Sequence, residues 1–212
     1  MKRNKFSNRS TRISKSVTTK CIILGHKNVG ESDRLVYLYS EELGKIKAYA
    51  KGGRKILSKF TGHIETLNIA EVSLYFSPQN IIITEISSNE TLLKKAEKLE
   101  TFQSALKIAE IANALLFEEQ KYKNLISLMR KAIMHLMTSK KPHLIYTAFA
   151  IKLMDKLGIV PNFKDSTMHI SDKYIKFFEF IKTKTFTEIE KIKTTKEEDS
   201  YISKYLNKLL DF

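Results

Sequence analysis

Lys45, Lys47, Tyr49 and Lys51 recur at every second position of the chain. In an extended strand such residues share one face, and the intervening Ile46, Ala48 and Ala50 share the other. The strand predicted over Leu43 to Lys51 therefore has an apolar inner face. Its outer face carries three ammonium groups and one aromatic ring. That combination suits single-stranded nucleic acid, with cations along the phosphates and a flat ring on which a base stacks. The following turn adds Arg54, Lys55 and Lys59 between Gly53 and Gly62. Glycines there let backbone N–H groups approach phosphates closely. The simpler alternative is a solvated strand face beside a charged loop. The run Gly52-Gly53-Arg54-Lys55 is not a P-loop, because the GxxxxGK[ST] spacing is missing.

Other chemistry is thinly represented. His26, His63, His135, His143 and His169 form no HExxH motif and no close pair. Each reads as packing or surface rather than as a metal ligand. Cys21 is the one cysteine, so neither an internal disulfide nor a multi-cysteine metal site can form within one chain. It falls in an apolar run and reads as a small buried residue. Glu41-Glu42, Glu118-Glu119 and Glu197-Glu198-Asp199 lie in charged surroundings and read as solvated. Nothing points to an enzyme, and no cofactor is expected.

The elements that must position the basic face come next. Of 212 residues, 42% are hydrophobic and 28% charged, the balance of a globular protein of one or two domains. No apolar run approaches the ~20 residues of a membrane helix, and no secretory signal follows the basic start. A reducing cytoplasm, close to the nucleoid, is the expected setting, with no membrane partner. The net charge is +14, and its placement is uneven. Residues 1–60 hold 15 Lys/Arg and 4 Asp/Glu, a net of +11, and the rest holds only +3. A field of that kind favours a polyanion.

Six of seven glycines occur at or before Gly62, in the part that reads as strands. Five runs are expected: Cys21 to Leu24, Leu35 to Tyr39, Leu43 to Lys51, Leu67 to Phe76 and Ile81 to Ile86. Five short strands in about 70 residues suggest a small closed barrel, since closure removes exposed edges. Residues 1–17 form a basic, flexible tail, either an arm that touches phosphates or simply loose chain. The barrel domain takes 18–89 and an all-α domain 90–212. Leu99, Phe102, Leu106, Ala109, Leu115 and Leu116 predict a first long helix, with Ile108 and Ile111 widening its stripe. Leu125, Leu128, Met129, Ala132, Ile133 and Leu136 predict a second. Pro142 opens a third that Gly158 caps and Pro161 ends. Further helices are expected at 171–182 and 197–210, with capping-box spacings at Thr194/Glu197 and Thr195/Glu198.

Gly30-Glu31-Ser32-Asp33-Arg34-Leu35-Val36, Glu42-Leu43-Gly44-Lys45, Ala50-Lys51-Gly52-Gly53-Arg54 and Ser58-Lys59 together resemble the N-terminal signature of the RecO family. Leu157-Gly158-Ile159-Val160-Pro161-Asn162 is similar to its later "GY-x-P" motif. The resemblance covers about residues 18–163. It implies an α+β protein, an OB-fold barrel followed by a helical domain. It also implies a DNA repair and recombination mediator that binds single- and double-stranded DNA and anneals complementary strands. Its implied partners are RecR and the C-terminal tail of single-strand-binding protein, with RecA loading helped indirectly. By position, Lys45, Lys47, Lys51, Arg54, Lys55 and Lys59 would contact DNA, with Arg34 a weaker candidate; Tyr49 joins them on the strand alternation. Many relatives carry a four-cysteine zinc module after the second motif. With one cysteine, this chain lacks that module. No basic pair precedes Phe149, where Thr147 and Ala148 stand, so partner docking falls to Arg130, Lys131, Phe149 and Lys152. The simpler reading of those four is helix core with solvated cations. An RNA-binding OB module and a basic peripheral scaffold remain as alternatives.

Overall fold

A computed structural model describes residues 16–165 and 170–210. The basic tail, except Ser16 and Val17, lies outside the described residues. Five strands, β1 (Ser16–Val29), β2 (Asp33–Ser40), β3 (Gly44–Ala50), β4 (Asn68–Phe76) and β5 (Ile81–Thr91), form a closed barrel in the order β1-β2-β3-β5-β4. β1 is longer than its apolar run suggests and begins at Ser16, inside the expected tail. Its first half pairs with β4 and its second with β2, which closes the barrel. β3 and β5 run parallel through Ala48↔Ile81 and Tyr49↔Ile82.

Alternation sorts the side chains into two cores. Cys21, Ile23, Val36, Leu38, Ile46, Ala48, Ala50, Val72, Leu74 and Ile83 fill the barrel, and Phe60 and Ile64 fold in from the β3–β4 loop. The outward Ile22, Leu24, Tyr39, Leu67 and Ile69 are also buried, in the core of the helical domain. Burying each such aliphatic side chain is worth about 1.5–3 kcal/mol.

A 3₁₀ turn at Leu92–Lys95 leads to α1 (Leu99–Leu115), α2 (Leu125–Thr138), α3 (Pro142–Leu157), α4 (Asp172–Thr183), α5 (Phe186–Glu190) and α6 (Lys196–Leu210). α3 is central, packing on α1, α2, α4, α5 and α6. Pro142 stands at its first turn and Gly158 caps it in the left-handed conformation. α1 keeps Ile108, Ala109, Ile111 and Leu116 of its expected stripe buried, but not the stripe's first turn. Leu99 is 72% exposed, while Thr101, Ala105, Ile108, Ala109, Ile111 and Ala112 are buried. Small residues let the helix lie close to its neighbours α3, β1 and α2. Of the two capping-box spacings, Thr195/Glu198 is realised, with bonds in both directions. The short α5 was not foreseen, although Thr185 and Glu188 form the same box.

Candidate nucleic-acid interface

Parity along β3 is as the alternation predicts: Ile46, Ala48 and Ala50 are buried in the barrel. What covers the other face is different. The barrel's outer surface at the start of β3 is where the helical domain packs, so Lys45 faces protein rather than solvent. It is 8% exposed. Its Nζ donates to the carbonyls of Asn113 and Leu116, the latter at 3.2 Å. These are carbonyls at the C-terminal end of α1, where no intrahelical donor remains. Burial pushes the Lys45 pKa down, and Glu118 works against that shift. Lys45 is thus a joint between domains, and its expected place on the DNA face is corrected.

Two further contacts lock the same joint. Tyr39 Oη donates to the Tyr122 carbonyl at 2.9 Å and accepts from the Tyr122 N–H at 2.6 Å. Gly44 has φ +76°, and a Cβ there would stand 2.6 Å from the Gln120 carbonyl oxygen. Only glycine lets the segment after α1 cross β3 at that point.

Lys47 is exposed but not free, because its ammonium pairs with the Glu118 carboxylate. That bond holds the Lys47 pKa above and the Glu118 pKa below their ordinary values. Glu118, expected to be solvated, tempers the face. Tyr49 is partly exposed, so its ring is not sealed in the barrel. Across the sheet, Tyr49 is in register with Leu35 on β2 and Ile82 on β5, and Leu35 with Lys27 on β1. Residues directly opposite share a face. The exposed Lys27 therefore joins the row that holds the ring. Nothing had marked it, because β1 was expected to end at Leu24.

Among the described residues, exposed cations are concentrated in the loop after β3. Lys51, Arg54, Lys55 and Lys59 are all exposed, and no acid occurs from Lys51 to Ile64. The β1–β2 turn holds this loop in place. Asp33 Oδ1 accepts from the Gly52 N–H at 2.7 Å, and the Ser32 carbonyl accepts from the Arg54 N–H at 2.9 Å. Arg54 Nη1 also donates to the Gly30 carbonyl at 2.9 Å. Gly52 has φ +70°, a conformation that suits glycine. At the far end, Asn68 Nδ2 donates to the carbonyls of Gly62 and His63. Lys59 lies 5.5 Å from the Phe60 ring centroid, within cation–π range. Arg34 pairs with Glu65 at 3.1 Å, which leaves it less available than the loop cations.

The four expected docking residues do not form one patch. Phe149 is fully buried in the helical core, so it offers a partner nothing. Lys152 donates to the Lys182 carbonyl at 3.0 Å, capping the end of α4. Arg130 makes two bonds to Glu90, at 2.6 and 3.2 Å. Lys131 is exposed. Among the described residues, no group of three or more His, Cys, Asp or Glu could hold a metal ion, and no helix is long and apolar enough to cross a membrane.

Comparison with known proteins places the chain in a family. A family model described as "Recombination protein O N terminal" matches residues 14–105, and one described as "Recombination protein O C terminal" matches residues 96–167. A DNA repair protein RecO of Dehalococcoides mccartyi is 31% identical over 147 residues, 69% of this chain and 58% of that relative. One from Salinibacter ruber is 27% identical over 148 residues, 68% and 57% of the two chains. One from Thermoanaerobacter is 26% identical over 163 residues, 76% and 65%. The matched region is thus less than two thirds of these relatives' length. With both models covering the barrel and the first three helices of the α domain, the chain belongs to the RecO family of DNA repair proteins.

Proposed function

We propose that this chain is a non-enzymatic recombination mediator that binds single- and double-stranded DNA on the β3–β4 loop and the adjoining barrel face. The observation that carries this is the loop itself: Lys51, Arg54, Lys55 and Lys59, exposed and acid-free, bonded at one end to Asp33 and Ser32. A partly exposed Tyr49 lies two residues before Lys51. Cations neutralise phosphates whatever the sequence, and a ring accepts any base. Annealing needs a surface of this kind, which carries two strands without reading them and makes or breaks no covalent bond.

Names of the relatives support a role in repair, and family likeness suggests action with RecR, at strands coated by single-strand-binding protein, to help RecA load in the cytoplasm. Of the expected docking residues for that protein's tail, Phe149 is buried, Lys152 is engaged by α4 and Arg130 by Glu90, so the tail site is proposed to lie elsewhere on the α domain. The test is annealing of complementary strands pre-coated with single-strand-binding protein. Acceleration by the full chain supports the proposal. Binding to naked strands without acceleration on coated ones rejects the mediator role, and tighter binding to RNA than to DNA of equal length favours an RNA-binding module.

A further inference from the structure

Ile56 and Leu57 are 95% and 97% exposed, at the centre of the cationic loop. Their exposure does not come from slack chain. Ser58 N–H donates to the Lys55 carbonyl at 3.0 Å, which makes Ile56 and Leu57 the two corner residues of a β-turn. The preceding turn is closed by Lys55 N–H to the Gly52 carbonyl and the following one by Thr61 N–H to the Ser58 carbonyl, both at 3.1 Å. The same loop buries Phe60 and Ile64 in the barrel at 3% and 0% exposure. It therefore has an apolar interior available, yet holds this pair outward.

Arg54, Lys55 and Lys59 flank the pair along the chain and are exposed, with no acid within the loop. An apolar tip on a loop of exposed cations complements a surface whose interior is apolar and whose edge is anionic. Nucleobases bordered by phosphates have that form, and aliphatic side chains that enter a base stack are a recurrent device of DNA-binding proteins. Unpaired bases are easier to reach than paired ones, since less stacking and pairing is given up.

We propose that Ile56 and Leu57 form an aliphatic wedge that packs against unstacked bases while Arg54, Lys55 and Lys59 hold the flanking phosphates. This deepens the DNA-binding proposal and rests on it. The wedge would keep a captured strand open at its bases, ready for a complement.

The experiment uses the full chain, a single-stranded oligonucleotide with a central 2-aminopurine, and the double variant Ile56→Ser/Leu57→Ser. Both side chains are solvent-exposed, and thermal unfolding checks that the fold is kept. Wild-type binding should change the 2-aminopurine fluorescence. The variant should lose that change and bind about tenfold more weakly, with the slope of log K against log salt preserved, since phosphate contacts remain. Unchanged affinity and fluorescence in the variant overturn the wedge while leaving DNA binding in place. Absence of binding by the wild type removes the DNA-binding proposal itself, and the wedge with it. Co-sedimentation with anionic phosphatidylserine vesicles that survives excess oligonucleotide and disappears in the variant overturns the wedge in favour of a lipid-touching tip.

Discussion

The carboxylate of Asp33, at the start of β2, accepts a 2.7 Å hydrogen bond from the backbone N–H of Gly52, in the turn that leaves β3. Two separate pieces of the family-like signature, Gly30 to Val36 and Ala50 to Arg54, are thereby one structural unit. The acid positions the base-rich turn without neutralising it through a direct ion pair.

That bond gives the site a pH dependence. The Gly52 N–H is the largest cause holding the Asp33 pKa below its ordinary value of 3.8, and Lys51 and Lys55 add to it. A carboxyl with a depressed folded-state pKa stabilises the fold above its unfolded pKa, and that contribution is lost as pH falls through the lower, folded value. Asp33→Ala should lack this acid-side loss. The same variant should weaken DNA binding at pH 7, because the turn loses one of the three bonds that anchor it. Urea unfolding from pH 2 to 7 and oligonucleotide titration check the two effects separately.

Lys45 and Lys51 should separate stability from binding. Lys45→Ala leaves carbonyls at the end of α1 without their ammonium donor, which should cost about 1–3 kcal/mol of stability. Its DNA affinity per folded molecule should match wild type. Lys51→Ala should do the reverse. Denaturant unfolding beside DNA titration distinguishes them.

Glu118 should restrain binding. It pairs with Lys47 at the edge of the basic face. Glu118→Gln removes one negative charge and releases that ammonium. DNA affinity should rise, and the salt slope should steepen by up to about 0.7 for single strands, the value of one added phosphate contact.

Cys21 should report unfolding. It is fully buried, and burial pushes its thiol pKa up to about 12. The thiolate is the reactive form, so a thiol reagent at pH 8 should label the native chain only as fast as the barrel opens. Prompt labelling without denaturant would contradict the buried assignment.

Much of the architecture was legible because periodicity reports which residues share a face. β3 shows both the strength and the limit of that signal. Its alternation separated Ile46, Ala48 and Ala50 from Lys45, Lys47 and Tyr49 correctly, but alternation carries no information about what covers the outer face. The α domain covers Lys45, and Glu118 reaches Lys47 from far along the chain. Lysine content misleads for the same reason. Lys45, Lys141, Lys152 and Lys156 each donate to backbone carbonyls within the fold, so part of the positive charge serves the structure. In α1, periodicity placed Ile108, Ala109 and Ile111 correctly at inner positions, but hydrophobicity also favoured the large Leu99 and Phe102, whereas the buried face takes Thr101, Ala105 and Ala112 instead. The loop after β3 was legible because it is local: its cations and glycines lie within a dozen residues.

The central claim is that exposed cations of that loop carry the DNA. The most direct measurement is the salt dependence of single-stranded oligonucleotide affinity for wild type and Lys51→Ala/Arg54→Ala. Loss of two phosphate contacts should weaken binding and make the slope of log K against log salt shallower by about 1.4, with the α domain still folded. An unchanged affinity and slope in the double variant would contradict the account.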